Sequence, residues 1–552
     1  MDFKAEKIRV LCEKLAELKT EVIGYIDGFE YAPSEYKGNA NIPDESTVFE
    51  KFEKGGRISG KDKHFWFKNK IKTPAKENGK ELFFRLTTGH EGEWDAANPQ
   101  GLIYLNGQIV QGLDTNHTTV PLESDTEYDI MIYFYTGMNG GYFDIIPELI
   151  IEDIKINDIY YDIHVPYDAM KCFDEDSDNY ITIIKYLDEA VKKINFLVPK
   201  SPEFYKSIDE ASAYMKDVFY GKICGKSEQT VNCIGHTHID VAWLWTVAQT
   251  REKAQRSFAT VLNLMKKYPE YKFMSTQPQL FEFVKNDAPE LYERIKTAVK
   301  EKRFELEGSM WLEADCNITS GESLVRQILF GKRFFKNEFG VDNKSVWLPD
   351  VFGYSAAMPQ IMKKSGVEYF VTSKISWSES NTMPHDSFMW QGIDGSEIFT
   401  YFMTAQDLPA DGKPVNYTTY VGYIRPSQVL GSWKRYHDKK YCNESLITFG
   451  FGDGGGGPTA DMLEQQRRLA HGIPGIPKTT IDFSRNFINR VRHSFDEYCK
   501  TSGYTPKWVG ELYLEMHRGT YTSIAKNKRN NRKSEIMYQK AEAVSVLDNL
   551  LY

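Results

Sequence analysis

The sequence lacks the features that mark several large classes of protein. Its 552 residues include only seven cysteines, which are dispersed along the chain and form no C-x-x-C pair. Such a scattered, odd set is typical of reduced thiols and argues against both a disulfide framework and a cysteine-based zinc site. Basic residues are not in excess, since 68 lysines and arginines face 77 aspartates and glutamates, for a formal net charge of -9. This balance argues against a nucleic-acid-binding protein, which normally presents a basic surface.

Long apolar segments are also scarce. No run approaches the roughly 20 residues that a membrane helix needs. The first twenty residues carry charge throughout, whereas a secretion signal has an apolar core. We therefore expect a cytoplasmic protein without a membrane segment. With 41% hydrophobic and 26% charged residues the chain has the composition of a folded protein, and its length predicts several domains.

The chain divides into regions of different pattern, which together predict a multidomain α/β protein. After a leading helix, residues 1–163 show alternating apolar runs, and Asn106-Gly107 predicts a two-residue hairpin turn. We interpret this region as an N-terminal β-sandwich-like domain. Residues 164–229 follow a helical period and predict a helical connector. In residues 230–500 short buried strands alternate with amphipathic helices, which favours a parallel α/β catalytic domain, either open or barrel-like.

Residues 501–552 turn helical again and predict the start of a helical bundle. Their apolar residues form a helical stripe that runs to the last residue without a capping signal. We therefore expect the sequence to be a fragment of a longer protein.

The segment GHTHIDVAWLWT is the first candidate for chemistry, because it follows a short buried strand. His236, His238 and Asp240 stand there at alternate positions, so their side chains project to one side of an extended chain. Imidazole nitrogen and carboxylate oxygen held in this way are suitable zinc ligands. The alternative is that these residues only end the strand and bond to their neighbours. Two or three ligands from one segment do not by themselves make a metal site.

Three further segments carry polar residues in promising positions. Asp350 ends an apolar strand in WLPDVFGYS, where a carboxylate suits catalysis, although aspartate is also a common helix N-cap. Asp453 precedes four glycines in GFGDGGGGPT; without a following Gly-Lys-[Ser/Thr] a phosphate loop is disfavoured, which leaves a close backbone approach to a ligand or a flexible turn. His517 lies in ELYLEMHRGTYTS, and an isolated histidine is usually structural. Together with His238 and Asp240, however, Asp350 and His517 complete a set of two imidazoles and two carboxylates for zinc.

Taken in order, these motifs resemble glycoside hydrolase family 38, the class II α-mannosidases, and in particular its cytosolic-like branch. The matching segments are GHTHIDVAWLWT, EGSMWLEADCNITSGESLVRQ, WLPDVFGYS, GDGGGGPT and ELYLEMHRGTYTS, and the N-terminal PQGLIYLNGQIVQGLDTNH also fits that branch. The resemblance implies a retaining, zinc-dependent α-mannosidase that acts on mannose-containing oligosaccharides or glycosides. It also implies that the family's C-terminal β domains are missing from this chain.

The resemblance further implies a role for each site residue. One Zn²⁺ ion, for which Co²⁺ or another divalent ion could substitute, would be bound by His238, Asp240, Asp350 and His517. Asp350 would also be the nucleophile that forms a covalent mannosyl-enzyme, and Asp453 would be the acid/base. His236 would contact the ligands rather than the metal. The sugar subsite would be lined by Trp243, Trp311, Glu313 and Asp315.

Two other functions fit part of the sequence. A barrel amidohydrolase also binds metal through an H-x-H at the end of its first strand, but it needs further histidines from middle strands. The next histidine after His238 is His385, which lies outside any strand pattern. A non-catalytic carbohydrate-binding protein would suit the 14% aromatic content and the β-rich N-terminal region. The presence of every expected carboxylate and ligand disfavours pure binding.

Partner expectations follow from the same observations. We expect a carbohydrate substrate and neither nucleic acid nor a membrane as partner, while a homo-oligomeric state is left open. No motif residue precedes His236, so we expect the N-terminal β region to be structural, with the hairpin at Asn106-Gly107 bordering the substrate entrance.

Overall fold

The N-terminal part of the chain is an antiparallel β structure that follows one helix. The computed structural model describes residues 3–35, 42–94, 96–409 and 416–551. The elements of this part are α1 (Phe3–Leu18), β1 (Thr20–Tyr25), β2 (Glu30–Ser34), β3 (Glu50–Lys51), β4 (Arg57–Gly60), β5 (His64–Lys72), β6 (Lys80–Thr87), β7 (Gln100–Leu105), β8 (Gln108–Leu113), β9 (Thr119–Leu122), β10 (Glu127–Tyr135), β11 (Gly141–Asp144) and β12 (Ile146–Asp153).

Two antiparallel sheets share one hydrophobic core in this part. Their strand orders are β1-β12-β6-β9 and β3-β2-β5-β10-β7-β8, and β11 pairs separately with β4. Phe84 of the first sheet and Phe67 and Ile130 of the second belong to the same buried cluster, so the two sheets pack against each other.

The predicted hairpin between β7 and β8 is confirmed. Leu105 pairs with Gln108, and the two turn residues between them, Asn106 and Gly107, have φ values of 51° and 80°. A left-handed backbone at both central positions is what a two-residue hairpin turn of this kind requires, and Asn-Gly adopts it readily.

Helices link the β structure to the rest of the chain. They are α2 (Ile154–Met170), α3 (Asp178–Val191), α4 (Pro202–Tyr214) and a π-helical segment, Met215–Ile223. The side chains of Asp153, Ser177 and Ser201 cap the first three of these helices by accepting hydrogen bonds from backbone N–H groups three residues later. Buried residues of these helices share the largest hydrophobic core with the α/β part that follows.

The α/β part contains two largely parallel sheets. Its elements are β13 (Thr230–His236), α5 (Val247–Lys267), β14 (Phe273–Ser275), α6 (Pro278–Asp287), α7 (Pro289–Lys300), β15 (Phe304–Leu306), α8 (Gly321–Phe339), β16 (Ser345–Trp347), α9 (Met358–Lys364), β17 (Tyr369–Thr372), β18 (Ser387–Gln391), β19 (Glu397–Phe402), α10 (Pro426–Arg435), β20 (Glu444–Phe449), α11 (Ala460–Leu469), β21 (Lys478–Ile481), α12 (Ser484–Ser502) and β22 (Lys507–Val509). Short 3₁₀ segments follow β17 and β22, at Lys374–Trp377 and Arg518–Tyr521.

Hydrogen bonding connects these strands as follows. The first sheet has the order β15-β14-β13-β20, with β21 also paired to β13, and every ladder in it is parallel. The second has the order β16-β17-β19-β18-β22 and is parallel except between β18 and β19. The sheets meet where the Ser309 N–H donates to the Ser345 carbonyl at 2.9 Å. The mixed α/β class predicted from the sequence is confirmed.

The last described element is the long helix α13 (Ala525–Leu551), none of whose described side chains is buried. Apolar side chains such as Met537, Val544 and Leu547 are exposed on it. Within the described ranges, no helix combines the length and apolar character needed to cross a bilayer. All seven cysteines are unpaired, as their dispersion predicted.

Candidate functional site

The candidate site lies at the carboxyl ends of strands from both sheets. His238 follows β13 by two residues, Asp350 follows β16 by three, and Asp453 follows β20 by four. The carboxyl ends of parallel strands lie along one edge, which brings together residues that are far apart in sequence. His238, Asp240, Asp350 and Asp453 each offer one ligand atom, and these four atoms lie within 4.8 Å of one another.

The spacing around His238 fits a metal ion. Its Nε2 atom lies 3.3 Å from Asp240 Oδ1 and 3.9 Å from Asp350 Oδ2. Two ligand atoms held about 2.0–2.2 Å from one zinc ion at a tetrahedral angle lie roughly 3.3–3.6 Å apart. The imidazole and the carboxylates are therefore about as far apart as they would be around a shared cation, and nitrogen and oxygen are donors that zinc accepts.

The other ring nitrogen of His238 lies close to a further carboxylate, that of Glu313. Nδ1 lies 2.7 Å from Glu313 Oε2, and the side chain of His238 is only 4% exposed. Glu313 is itself fixed, since its Oε1 accepts a hydrogen bond from the Thr276 hydroxyl at 2.9 Å. Burial lowers the pKa of His238, but the charges of Glu313 and Asp240 outweigh it and raise that pKa well above its ordinary value. The surroundings of this imidazole therefore favour positive charge, whether a proton or a metal ion carries it.

Asp350 is paired with a buried lysine. Lys374 Nζ donates to Asp350 Oδ1, and the lysine side chain is only 6% exposed. Lys374 also lies over the ring of Trp377, with Nζ 4.2 Å from the ring centroid. The ammonium group fixes one oxygen of Asp350, which leaves Oδ2 directed toward His238.

Asp453 sits at a bend of the glycine-rich loop, with a left-handed φ of 50°. Its backbone carbonyl accepts a hydrogen bond from the Asp240 N–H at 2.9 Å, and its Oδ1 accepts one from the Tyr420 hydroxyl at 2.9 Å. Burial raises the pKa of Asp453; the charge of His238 opposes this rise and that of Asp350 adds to it. The loop therefore presents a fixed carboxyl group to the same space as Asp350.

The structure does not place His517 in this group. His517 is exposed, has a φ of 63°, and begins the 3₁₀ segment Arg518–Tyr521, with its ring 5.4 Å from that of Phe352. Burial and the charge of Lys374 lower the pKa of His517, and the charge of Asp350 opposes this shift. Its service as the fourth metal ligand stays a prediction.

The residues assigned to the sugar subsite have different surroundings. Trp243 is 51% exposed, and its ring meets that of Trp94, from the N-terminal β part, edge to face at 5.4 Å. Trp311 is half-buried and donates to Gln279 Oε1 at 3.1 Å. Asp315 Oδ1 accepts hydrogen bonds from the backbone N–H groups of the turn that follows it. Glu313 lies beside His238, with Oε2 2.7 Å from Nδ1. Among the four, Trp243 offers the most open aromatic face.

Two residues that contact the group are absent from the set predicted from the sequence. Lys374 comes directly after the Ser that follows strand β17, so inspection of every strand end for ionisable residues would have found it. Tyr420 lies in an irregular stretch between β19 and α10, and nothing in its sequence context signals its contact with Asp453. His236, by contrast, uses Nδ1 to bond the Met274 carbonyl of the neighbouring strand at 3.0 Å.

Comparison with known proteins shows which proteins this chain is similar to. The family described as glycosyl hydrolases family 38, N-terminal domain, matches residues 228–511. Alpha-mannosidase G of Dictyostelium discoideum is 35% identical over 87% of this chain and 43% of its own length. Alpha-mannosidase 2C1 of Homo sapiens is 37% identical over 65% of this chain and 32% of its own, and an alpha-mannosidase of Saccharomyces cerevisiae is 32% identical over 88% and 46%.

The chain spans less than half the length of these relatives. Among solved structures, an alpha-mannosidase from Enterococcus faecalis V583 aligns with a TM-score of 0.42 and 18% identity, over 52% of this chain and 31% of that one.

Proposed function

Since the chain belongs to glycosyl hydrolase family 38, we propose that it is the catalytic part of a retaining, zinc-dependent α-mannosidase that removes terminal α-mannosyl residues from oligosaccharides or glycosides. The observation that carries this proposal is the proximity of Asp350 and Asp453, whose nearest ligand atoms lie within 4.8 Å of each other beside His238. Retaining glycosidases hold their two carboxyl groups about 5–5.5 Å apart, whereas inverting enzymes need about 6.5–9.5 Å. The observed spacing favours retention.

The proposed reaction has two displacements. In the first, an oxygen of Asp350 forms a bond to the anomeric carbon while the bond from that carbon to the leaving oxygen breaks, and Asp453 gives its proton to the leaving oxygen. In the second, Asp453 takes a proton from water, the water oxygen bonds to the anomeric carbon, and Asp350 leaves. The two inversions give a product with the original α configuration.

The neighbouring side chains prepare the two carboxyl groups for these roles. Lys374 holds one oxygen of Asp350 in place, and Tyr420 holds one oxygen of Asp453. His238, Asp240 and Asp350 would hold the zinc ion, with His517 as the proposed fourth ligand. When bound, the ion would supply positive charge beside Asp350 and could bind sugar hydroxyl groups.

The stereochemistry of the first product tests this proposal. With a 4-nitrophenyl α-mannoside and the zinc-loaded chain, proton NMR during the first minutes should show α-mannose before mutarotation produces the β anomer. Initial β-mannose would contradict a retaining mechanism, and the absence of hydrolysis in the zinc-loaded chain would contradict the proposed activity.

A further prediction concerns Glu313 as the support of His238. Glu313→Gln should weaken zinc binding by about 10–100-fold, because a carboxylate that bonds the distal nitrogen of a ligating histidine orients the ring and raises its basicity. Zinc titration of the chelated protein with a competing fluorescent chelator measures the change. Asp315→Asn is the matched control, since Asp315 lies two residues away and caps a turn. If Glu313 only contacted the sugar, KM would rise while zinc affinity stayed unchanged.

A further inference from the structure

The glycine-rich loop that carries Asp453 is tied to the N-terminal β part by a buried cluster of charged residues. The loop, residues 450–459, connects β20 to α11 and contains Asp453 and four glycines with positive φ, which are Gly450, Gly455, Gly456 and Gly457. A loop so rich in glycine needs contacts from outside to hold one conformation.

Three residues outside the loop form the cluster, which we call the brace: Asp114, His117 and Arg256. Asp114 and His117 lie in the turn between β8 and β9, and Arg256 lies in the middle of α5. Their side chains are only 3–5% exposed. Arg256 Nη1 donates to Asp114 Oδ2, and His117 Nδ1 lies 2.9 Å from Asp114 Oδ1. The aspartate thus joins the two cationic side chains.

Both cationic side chains reach from Asp114 to backbone carbonyls of the loop. Arg256 Nη2 donates to the carbonyl of Gly454, the residue after Asp453, at 2.6 Å. His117 Nε2 lies 2.9 Å from the Pro458 carbonyl. A carbonyl only accepts, so Nε2 must carry a proton to bond there. Burial lowers the pKa of His117, but Asp114 outweighs it and raises that pKa, which favours protons on both ring nitrogens.

The packing leaves little room for the brace to shift. A Cβ atom at Gly112 of β8 would lie 2.0 Å from Arg256 Cγ, so glycine at this position lets the arginine pass close to the strand. A Cβ atom at Gly456 would lie 3.4 Å from the His117 ring. From α5, the Ser257 hydroxyl also accepts the Gly456 N–H at 2.8 Å. The loop is therefore held at three positions after Asp453, which are Gly454, Gly456 and Pro458.

From this geometry we infer that Asp114, His117 and Arg256 are positioning residues for Asp453, so that the N-terminal β part takes part in catalysis by fixing the acid/base loop. The inference rests on the proposed role of Asp453 in proton transfer. A loosened loop would displace the Asp453 carboxyl group, while His238, Asp240 and Asp350, which follow the ends of other strands, keep their places.

The test compares leaving groups in His117→Leu and Arg256→Lys. General acid catalysis typically contributes about 10²–10⁴-fold, and it matters for phenol but hardly for dinitrophenol as leaving group. We expect kcat/KM to fall roughly 10-fold more for phenyl α-mannoside than for 2,4-dinitrophenyl α-mannoside, because these variants should lose only part of the general-acid contribution. Zinc content should not change. His117→Gln, whose amide can still donate to the Pro458 carbonyl, should retain more activity than His117→Leu.

Asn263→Ala is the matched control. Asn263 lies on the same helix and donates to Gln111 Oε1 of β8 at 2.8 Å, so its loss removes a buried contact between the same two elements without a contact to the loop. Hydrogen exchange of residues 450–459 gives a readout that is independent of activity. It should accelerate in His117→Leu and Arg256→Lys and stay unchanged in Asn263→Ala.

The outcomes separate the inference from the proposed function. Equal losses on both substrates, or unchanged exchange of the loop in both brace variants, would overturn the positioning role. Asp453→Ala is measured on the same substrates. If it shows no dependence on the leaving group, the acid/base role of Asp453 fails. If it does and the brace variants do not, only the positioning role fails.

Discussion

Replacing Asp350 with asparagine is expected to abolish turnover, with a loss on the order of 10⁴-fold or more. An amide oxygen is a weak nucleophile, so no mannosyl-enzyme should form at this position. The same substitution should weaken zinc binding, because Asp350 is one of the four residues whose ligand atoms converge and an amide is a poorer ligand than a carboxylate. Steady-state rates with an aryl α-mannoside and the zinc content after dialysis measure the two effects.

A control is needed because Asp350→Asn also leaves Lys374 without its carboxylate partner. An unpaired buried charge destabilises the fold, which could lower activity indirectly. Lys374→Met removes the lysine but keeps the nucleophile, so it should retain measurable turnover and zinc. If Asp350→Asn folds, binds zinc as tightly as the wild type and still turns over at a comparable rate, Asp350 is neither nucleophile nor ligand.

Replacing Asp453 with alanine should have a different signature. Loss of the acid/base should lower kcat for ordinary aryl mannosides by about 10²–10⁴-fold and spare zinc content, since its proposed role is proton transfer only. With a dinitrophenyl mannoside, which needs no protonation of the leaving group, the mannosyl-enzyme should form and then accumulate, because no base activates water. Mass spectrometry of the quenched protein would detect the added mannosyl group.

Rescue by azide is a second test of the acid/base role of Asp453. Azide needs no base, so it should restore turnover of Asp453→Ala and give an α-mannosyl azide, with retention of configuration. Tyr420→Phe is the matched control, because it removes the hydroxyl that bonds Asp453 and keeps the carboxyl group itself. Its loss should be smaller, and azide should give it little rescue. No azide rescue in Asp453→Ala, or a β-azide product, would redirect the search for the acid/base to Glu313 and Asp315.

The position of Asp453 affects the expected zinc content of Asp453→Ala. Its carboxyl oxygen lies in the same group of ligand atoms as those of His238, Asp240 and Asp350, whereas the resemblance of the motifs implies His517 as the fourth zinc ligand. If Asp453 were a ligand, Asp453→Ala would lose zinc as well as activity. The zinc content of this variant therefore distinguishes a proton-transfer role from metal binding.

The sequence predicted the parts of this molecule that depend on local patterns. The Asn106-Gly107 turn is specified by two residues whose backbone preferences match the hairpin, and His238 and Asp240 were found because they directly follow a short apolar strand. The convergence of these two with Asp350 follows from the way parallel strand ends share an edge. Such inferences need only periodicity and order along the chain.

Contacts between distant segments could not be predicted in this way. Tyr420 reaches Asp453 from an irregular stretch, and the brace joins a turn of the β part to α5 and to a loop more than 300 residues beyond the turn. The segment around Asp114 and His117 carries no catalytic signature, so it was expected to be structural. Only the packing of the β part on α5 shows that the side chains of His117 and Arg256 reach the glycine-rich loop that carries Asp453.

The most direct test of the account is the zinc dependence of hydrolysis. The full chain is treated with a chelator, dialysed, and assayed on 4-nitrophenyl α-mannoside before and after zinc is added back. We predict that chelation removes the activity, that zinc restores it, and that 4-nitrophenyl β-mannoside is not cleaved under either condition. Hydrolysis that persists unchanged after complete removal of metal, or that zinc fails to restore in a protein that is still folded, would contradict a zinc-dependent α-mannosidase site built on His238, Asp240 and Asp350.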